Sequence, residues 1–163
     1  MRVDTNFSPQ PDSPNVNIMP PKMFNICLIS GIVMEFCWTS TLPFIPTILR
    51  MILGGGIALG GFMFMMWGHN LFTALGVKVP TNLPSSMLVT GGAYTISRNP
   101  MYVGFVSILI GIGLAVGSIW ILLTSLPMAL YLGLHVIPQE EAYLEKAFGE
   151  DYRQYRLTVR RWL

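Results

Sequence analysis

The sequence predicts an all-α integral membrane protein of about four transmembrane helices, followed by C-terminal cytosolic or interfacial helices. Three observations lead there. Only 11% of the 163 residues are charged and 52% are hydrophobic, whereas a soluble domain carries roughly 25% charged residues. The apolar residues gather in runs close to the roughly 20 that cross a bilayer. With four spans, Arg2, Lys22, Lys78, Arg98, Lys146 and the terminal arginines share one side, and the opposite connections carry only Arg50. By the positive-inside rule, both termini and the Arg98 loop are then cytoplasmic.

In chain order, Met1 to Lys22 holds Pro9, Pro11, Pro14, Pro20 and Pro21 among Asp, Asn and Ser. That composition reads as a flexible N-terminal tail and not as a signal peptide. Residues 23–163 form a single membrane domain. The first expected span, 24–42, is interrupted by Glu35 and ended by Pro43 and Pro46; the second, 45–67, contains Gly56-x-x-x-Gly60, a spacing that lets helices approach closely. Glu35 and Arg50 fall at comparable depth beside the turn and are expected to pair, with a substrate-facing Glu35 as the alternative. Cys27 and Cys37 share the first span about 15 Å apart, too far for a disulfide. Both read as packing residues, and no Cys/His cluster suggests a metal site.

His69 to Gly92 is polar and long for a turn, which points to a cofactor-covering loop. His69 itself reads as an interfacial residue. Residues 101–137 carry no formal charge, enough for two spans of about 18 residues, each near 27 Å, over 101–117 and 119–137. Gly117-Ser118 is the natural hairpin tip, Gly113 a close-packing residue and Pro127 a kink. Pro138 then suits a first helical position, Glu140 and Glu141 suit a helix N-terminus, and Gly149 suits a stop. Glu140 heads an apolar stripe with Tyr143, Leu144, Ala147 and Phe148, so it points inward. Tyr152, Tyr155, Val159 and Trp162, beside Arg153, Arg156, Arg160 and Arg161, read as a helix lying at the headgroups.

Two polar poles therefore flank the second hairpin, Gly92 to Gly104 and Pro138 to Glu141, and are expected to meet as halves of one site. Arg98 offers a planar fork for a carboxylate or phosphate, Glu140 and Glu141 offer negative charge to an ammonium or sulfonium, and Tyr94 and Tyr102 offer ring faces. Such a set fits a zwitterionic cofactor, of which S-adenosylmethionine is one. Arg98 as a headgroup anchor and the glutamates as helix caps are the plainer alternatives. The net charge of +2 and the absence of a basic arm argue against nucleic acid as a partner.

The ordered blocks Leu88-Val89-Thr90-Gly91-Gly92-Ala93-Tyr94, Arg98-Asn99-Pro100-Met101-Tyr102-Val103-Gly104, and Glu140-Glu141 with Leu144, Phe148-Gly149, Tyr152 and Tyr155 resemble the isoprenylcysteine carboxyl methyltransferase family, particularly its small bacterial members. The resemblance covers roughly Leu88 to Leu163. It implies methyl transfer from S-adenosylmethionine to a lipid-like or lipid-anchored acceptor, with carboxyl O-methylation favoured and Arg98 and Glu140 at the reacting centre. It also implies a cofactor pocket lined by Arg98, Asn99, Pro100, Tyr102, Glu140 and Glu141, with Gly92 and Tyr94 shaping the wall. Two positions depart from the pattern. Ala93 stands where Pro is common, and Asn99 stands where the eukaryotic enzymes have His, which bears on the substrate more than on the cofactor. His135, one turn before Glu140, is a further candidate or a simple interfacial residue. The alternatives are a phospholipid N-methyltransferase, an NADPH-dependent reductase of the sterol type, and a non-catalytic transporter or assembly factor.

Overall fold

A computed structural model describes residues 18–76 and 87–163. The expected tail lies outside the described residues as far as residue 17, as does the 77–86 part of the expected cofactor-covering loop. In order, the chain forms α1 (Pro20–Cys37), α2 (Thr47–Ala74), a 3-10 turn (Gly92–Thr95), α3 (Pro100–Val116), α4 (Ile119–Tyr131), a π-helical segment (Leu132–Val136) and α5 (Ile137–Thr158). No strand occurs among the described residues.

Two helices are long and apolar enough to cross a membrane: Thr47–Ala74, and the run Ile119–Thr158 formed by α4, the π-helical segment and α5, which is kinked at Gly149 beyond its apolar part. Only 11% of the most apolar stretch of α2 is buried, so this is not the core helix of a soluble protein. Its outward side carries Ile48, Met51, Ile52, Leu59, Phe62 and Met63, all exposed. Helix α3 is apolar but only 17 residues long. Helix α1 starts at Pro20-Pro21, where missing amides cost nothing, so it takes in the last residues of the expected tail. Helix α2 runs to Ala74, past the expected end at Trp67, and places His69 on a helix instead of in a loop.

Helix α2 packs along α3, and α4 packs against both α3 and α1. The α2–α3 seam is built from glycines seven residues apart: Gly54, Gly61 and Gly68 face Gly111, Gly104 and Pro100. Added Cβ atoms would come 2.6 Å from Ser107 Cβ at Gly61, 2.6 Å from the Gly61 carbonyl at Gly104, and 2.6 Å from the Gly54 carbonyl at Gly111. A spacing of seven keeps these residues on one side of each helix, and the backbones touch. The expected close-packing pair Gly56 and Gly60 lies off this seam and has open space around it. Gly113 instead meets Leu122 of α4, and Gly31 of α1 meets Ile121. Gly117, at φ 78°, turns the chain between α3 and α4, and the Ser118 hydroxyl caps α4 by accepting the Ile121 amide.

Between α1, α3 and α4 lies an apolar core of Cys27, Tyr102, Leu109, Met128, Leu132, Val136 and Ile137. At one end of the bundle Glu35 is held by Ser40 and Ser118. The Ser40 amide and hydroxyl both donate at 2.8 Å and the Ser118 hydroxyl at 2.6 Å. The expected Glu35–Arg50 ion pair does not form. Arg50 lies over Gly117 and bonds Thr47, while the serines reach the carboxylate from the end of α1 and the start of α4. Helix α5 breaks at Gly149, whose φ of 54° and ψ of −120° lie outside the helical region.

Candidate functional site

The Arg98 turn is held by short-range main-chain bonds and by a long-range side-chain bond. The Tyr94 amide donates to the Gly91 carbonyl at 3.1 Å, and Ala93 is fully buried beneath. Pro100 opens α3 as its first residue and sits against Gly68 of α2. The Asn99 carbonyl accepts from the Tyr102 and Val103 amides, while its side-chain amide points away and donates to the Arg161 carbonyl at 2.9 Å. Helix α5 supplies the opposite wall. It continues from α4 through the π-helical segment, a local widening often found near functional sites.

The structure brings the two poles together. Arg98 Nη1 lies 3.1 Å from Glu141 Oε1 and donates to the Tyr152 hydroxyl at 3.3 Å. The side chains of Arg98 and Glu141 are each only 11% exposed, so their attraction acts largely shielded from water. The Tyr102 hydroxyl donates to Glu140 Oε1 at 2.5 Å, linking α3 to α5. Arg98 Nε is buried without a hydrogen-bond partner. A small cleft of about 70 Å³ opens here, with Tyr94, Arg98, Asn99, Glu140 and Glu141 on its polar side. Leu88, Val89, Leu144, Tyr152 and Tyr155 complete the lining.

Five of the eight expected pocket residues thus line the cleft, and three do not. Tyr102 reaches it through Glu140, and Pro100 is buried in the α2 contact. Gly92, at φ 57°, faces Trp67 and Leu71. His135 stacks on Tyr131 at 5.7 Å and does not line the cleft.

Under the cleft the tyrosines form a second core with Val89, and Phe72 of α2 packs on the Tyr94 ring at 5.3 Å. The Tyr155 hydroxyl donates to the Tyr94 carbonyl at 2.7 Å. Burial pushes the Tyr94 phenol well above its usual range, and the nearby Glu140 charge adds to the effect. Burial likewise raises Tyr155. It also raises Tyr152, helped by Glu141 and opposed by Arg98. All three stay neutral donors at physiological pH.

Tyr152 and Tyr155, expected on a headgroup stripe, line the cleft instead, and Arg161 beside it was not foreseen either. The terminal arginines read as part of a headgroup helix, but α5 ends at Thr158, and Val159 is extended. The last residues fold back over the Arg98 turn instead. Arg161 grips Glu141 through Nε at 3.1 Å and Nη2 at 2.6 Å. Trp162, expected on a helical stripe, packs on the core between α1, α3 and α4. Val159 and Thr158 are both β-branched and disfavour further helix, which was the available signal.

The chain is 40% identical over 74 residues to the Protein-S-isoprenylcysteine O-methyltransferase of Schizosaccharomyces pombe, a match covering 45% of this chain and 31% of that protein. It is 38% identical over 63 residues to an uncharacterized protein of Haemophilus influenzae, covering 39% of this chain and all of that protein. The chain therefore spans under a third of the length of the yeast relative and the whole of the bacterial one. No solved structure matches. The family model described as Phospholipid methyltransferase matches residues 49–151, which include both Arg98 and the glutamate pair. With more than half of its length matched, the chain belongs to the phospholipid methyltransferase family, which includes isoprenylcysteine methyltransferases.

Proposed function

We propose that this cleft binds S-adenosylmethionine and that the protein methylates a lipid-like acceptor, with carboxyl O-methylation favoured. The observation that carries the reading is the 3.1 Å approach of Arg98 to Glu141 across a hairpin of nearly forty residues, beside Glu140 in the same cleft. The donor set fits the cofactor. A buried Arg98 Nε without an acceptor suits a carboxylate, Glu140 suits an ammonium or sulfonium, and the tyrosines supply ring faces. When bound, the cofactor supplies an electrophilic methyl group.

The protein's own part is alignment and exclusion of water. Arg98 holds an anionic group of the cofactor or of the acceptor, Glu140 orients the positive end, and Tyr102 fixes Glu140 by its hydroxyl. Asn99 lines the cleft while its amide is held by the chain terminus, Glu141 neutralises Arg98, and Tyr94 and Tyr155 form the floor. A carboxylate acceptor is already ionised at neutral pH, so no strong general base is needed. The exposed apolar surface of α2 and the family membership support lateral arrival of the acceptor from the bilayer. Four spans, with α1 and α3 as the shorter two, both termini and the cleft on the cytoplasmic side, complete the proposed topology. In that topology residues 23–163 act as one membrane domain.

The description of the matching family favours a second reading, methylation of a phospholipid amine. Incubation with methyl-labelled S-adenosylmethionine and total membrane lipid separates the two. Alkali-labile label marks a methyl ester, and alkali-stable label marks an amine. If the wild-type protein labels nothing, or if Arg98→Ala and Glu140→Gln both label as well as wild type, the site assignment is wrong.

A further inference from the structure

We propose that Arg161 is a positioning residue of the cleft, acting through Glu141 to set the orientation of the Arg98 guanidinium. The inference rests on the reading of the cleft as the S-adenosylmethionine site.

A carboxylate presents two oxygens in one plane. Arg161 takes both from the side, with Nε on Oε1 at 3.1 Å and Nη2 on Oε2 at 2.6 Å, which fixes that plane. Oε1 keeps a direction for Arg98 Nη1 at 3.1 Å, and the same Nη1 reaches the Tyr152 hydroxyl at 3.3 Å. A guanidinium held at one nitrogen by two acceptors cannot rotate freely. Its orientation is therefore inherited from Glu141, and that of Glu141 from Arg161.

The same terminal segment also holds the backbone of the turn. The Arg98 amide donates to the Arg160 carbonyl at 2.9 Å. The Asn99 side-chain amide and the Ser97 hydroxyl donate to the Arg161 carbonyl at 2.9 and 3.3 Å. Trp162 anchors the segment in the core. Residues 160 and 161 thus touch Arg98 at both ends, at its main chain directly and at its tip through Glu141. This grip leaves the buried Arg98 Nε without a protein acceptor, as a donor that a bound anionic group can fill.

The test is equilibrium binding of S-adenosylmethionine to the full-length protein in lipid nanodiscs, with Arg161→Ala, Glu141→Gln, and the two combined. Arg161→Ala weakens binding about tenfold or more, the scale on which partners of ligating groups act. Arg161→Lys recovers only part of the loss, because an ammonium cannot bridge both oxygens. In the Glu141→Gln background, Arg161→Ala adds less than about twofold, because its route to Arg98 is already cut. A merely structural role for the terminal segment gives the same loss in both backgrounds, together with a lower unfolding temperature, and overturns the proposal. Unchanged binding by Arg161→Ala also overturns it. If Arg161→Ala does not fold, Arg161→Gln, which keeps the stem and a donor but loses the Nη2 that holds Oε2, carries the same expectations. Failure of the wild-type protein to bind S-adenosylmethionine defeats the proposed function itself; binding by wild type with Arg161→Ala unaffected defeats this inference alone.

Discussion

At one end of the bundle Glu35 takes its hydrogen bonds from Ser40 and Ser118; at the other, Glu141 takes its contacts from Arg98 and Arg161. Both carboxylates tie distant parts of the chain together. The serines that hold Glu35 are themselves occupied, since Ser40 accepts the Ile119 amide at 3.0 Å and Ser118 accepts the Ile121 amide. That cluster closes the end of α1 onto the start of α4 with neutral donors. The Glu141 cluster gathers two cations on one anion beside a cleft; an unmet guanidinium nitrogen occurs at both ends, at Arg98 here and at Arg50 over Gly117. A carboxylate in an apolar protein is thus not by itself a sign of chemistry. What distinguishes the second cluster is opposite charge in surplus on the carboxylate itself, and it borders a cleft.

The contrast is most easily broken by activity. Arg98→Ala lowers methyl transfer by at least about 100-fold, the scale of losing one preorganised charge at a reacting centre, while Glu35→Gln stays within about twofold. Equal losses would put both clusters in the same reaction. Stability should answer in the opposite sense. Ser118→Ala removes both a Glu35 bond and the α4 cap, so it costs about 1–3 kcal/mol in unfolding measurements. Methyl transfer by the folded fraction is untouched.

Alkaline pH sharpens the difference further, because Tyr94, Tyr152 and Tyr155 all lie at the Arg98 end. Their native pKa values are raised, so the unfolded chain ionises first, near pH 10. Their contribution is complete below that pH and is lost as pH rises above it, by roughly 0.8 kcal/mol at pH 10.5 for Tyr94. Thermal melts of Tyr94→Phe across that range lack this part of the decline. The smallest effect belongs to Glu145, which meets Arg153 at 2.9 Å and Arg156 at 3.0 Å on an exposed face. Its carboxyl is held below the usual range by the Arg153 hydrogen bond, with both arginine charges helping. Glu145→Gln lowers the unfolding midpoint only slightly, and the difference disappears in about 1 M salt.

Much of this was legible in the chain. The charge-free stretch between Met101 and Ile137 announced a hairpin, and a hairpin brings its flanks together, so the meeting of Arg98 with Glu141 followed from length and polarity. Gly117 and Ser118 marked the tip because one tolerates positive φ and the other caps. The rest depended on rotation about helix axes. Gly56 and Gly60 have a familiar spacing, but Gly54, Gly61 and Gly68 are the ones turned toward α3. Glu35 and Arg50 share a depth yet face different neighbours. The terminal arginines look like a headgroup face until α5 ends at Thr158, and only tertiary structure shows Arg161 reaching back to Glu141.

The glycine seam has a consequence for motion. Helices α2 and α3, in backbone contact from Gly54 to Pro100, have almost no side-chain cushion between them and move as one plank. Because Arg98 sits at the tip of that plank, any breathing that admits a bulky guest must be supplied by the facing wall. That wall, bearing Glu140 and Glu141, hangs from the loosened coil at Leu132–Val136.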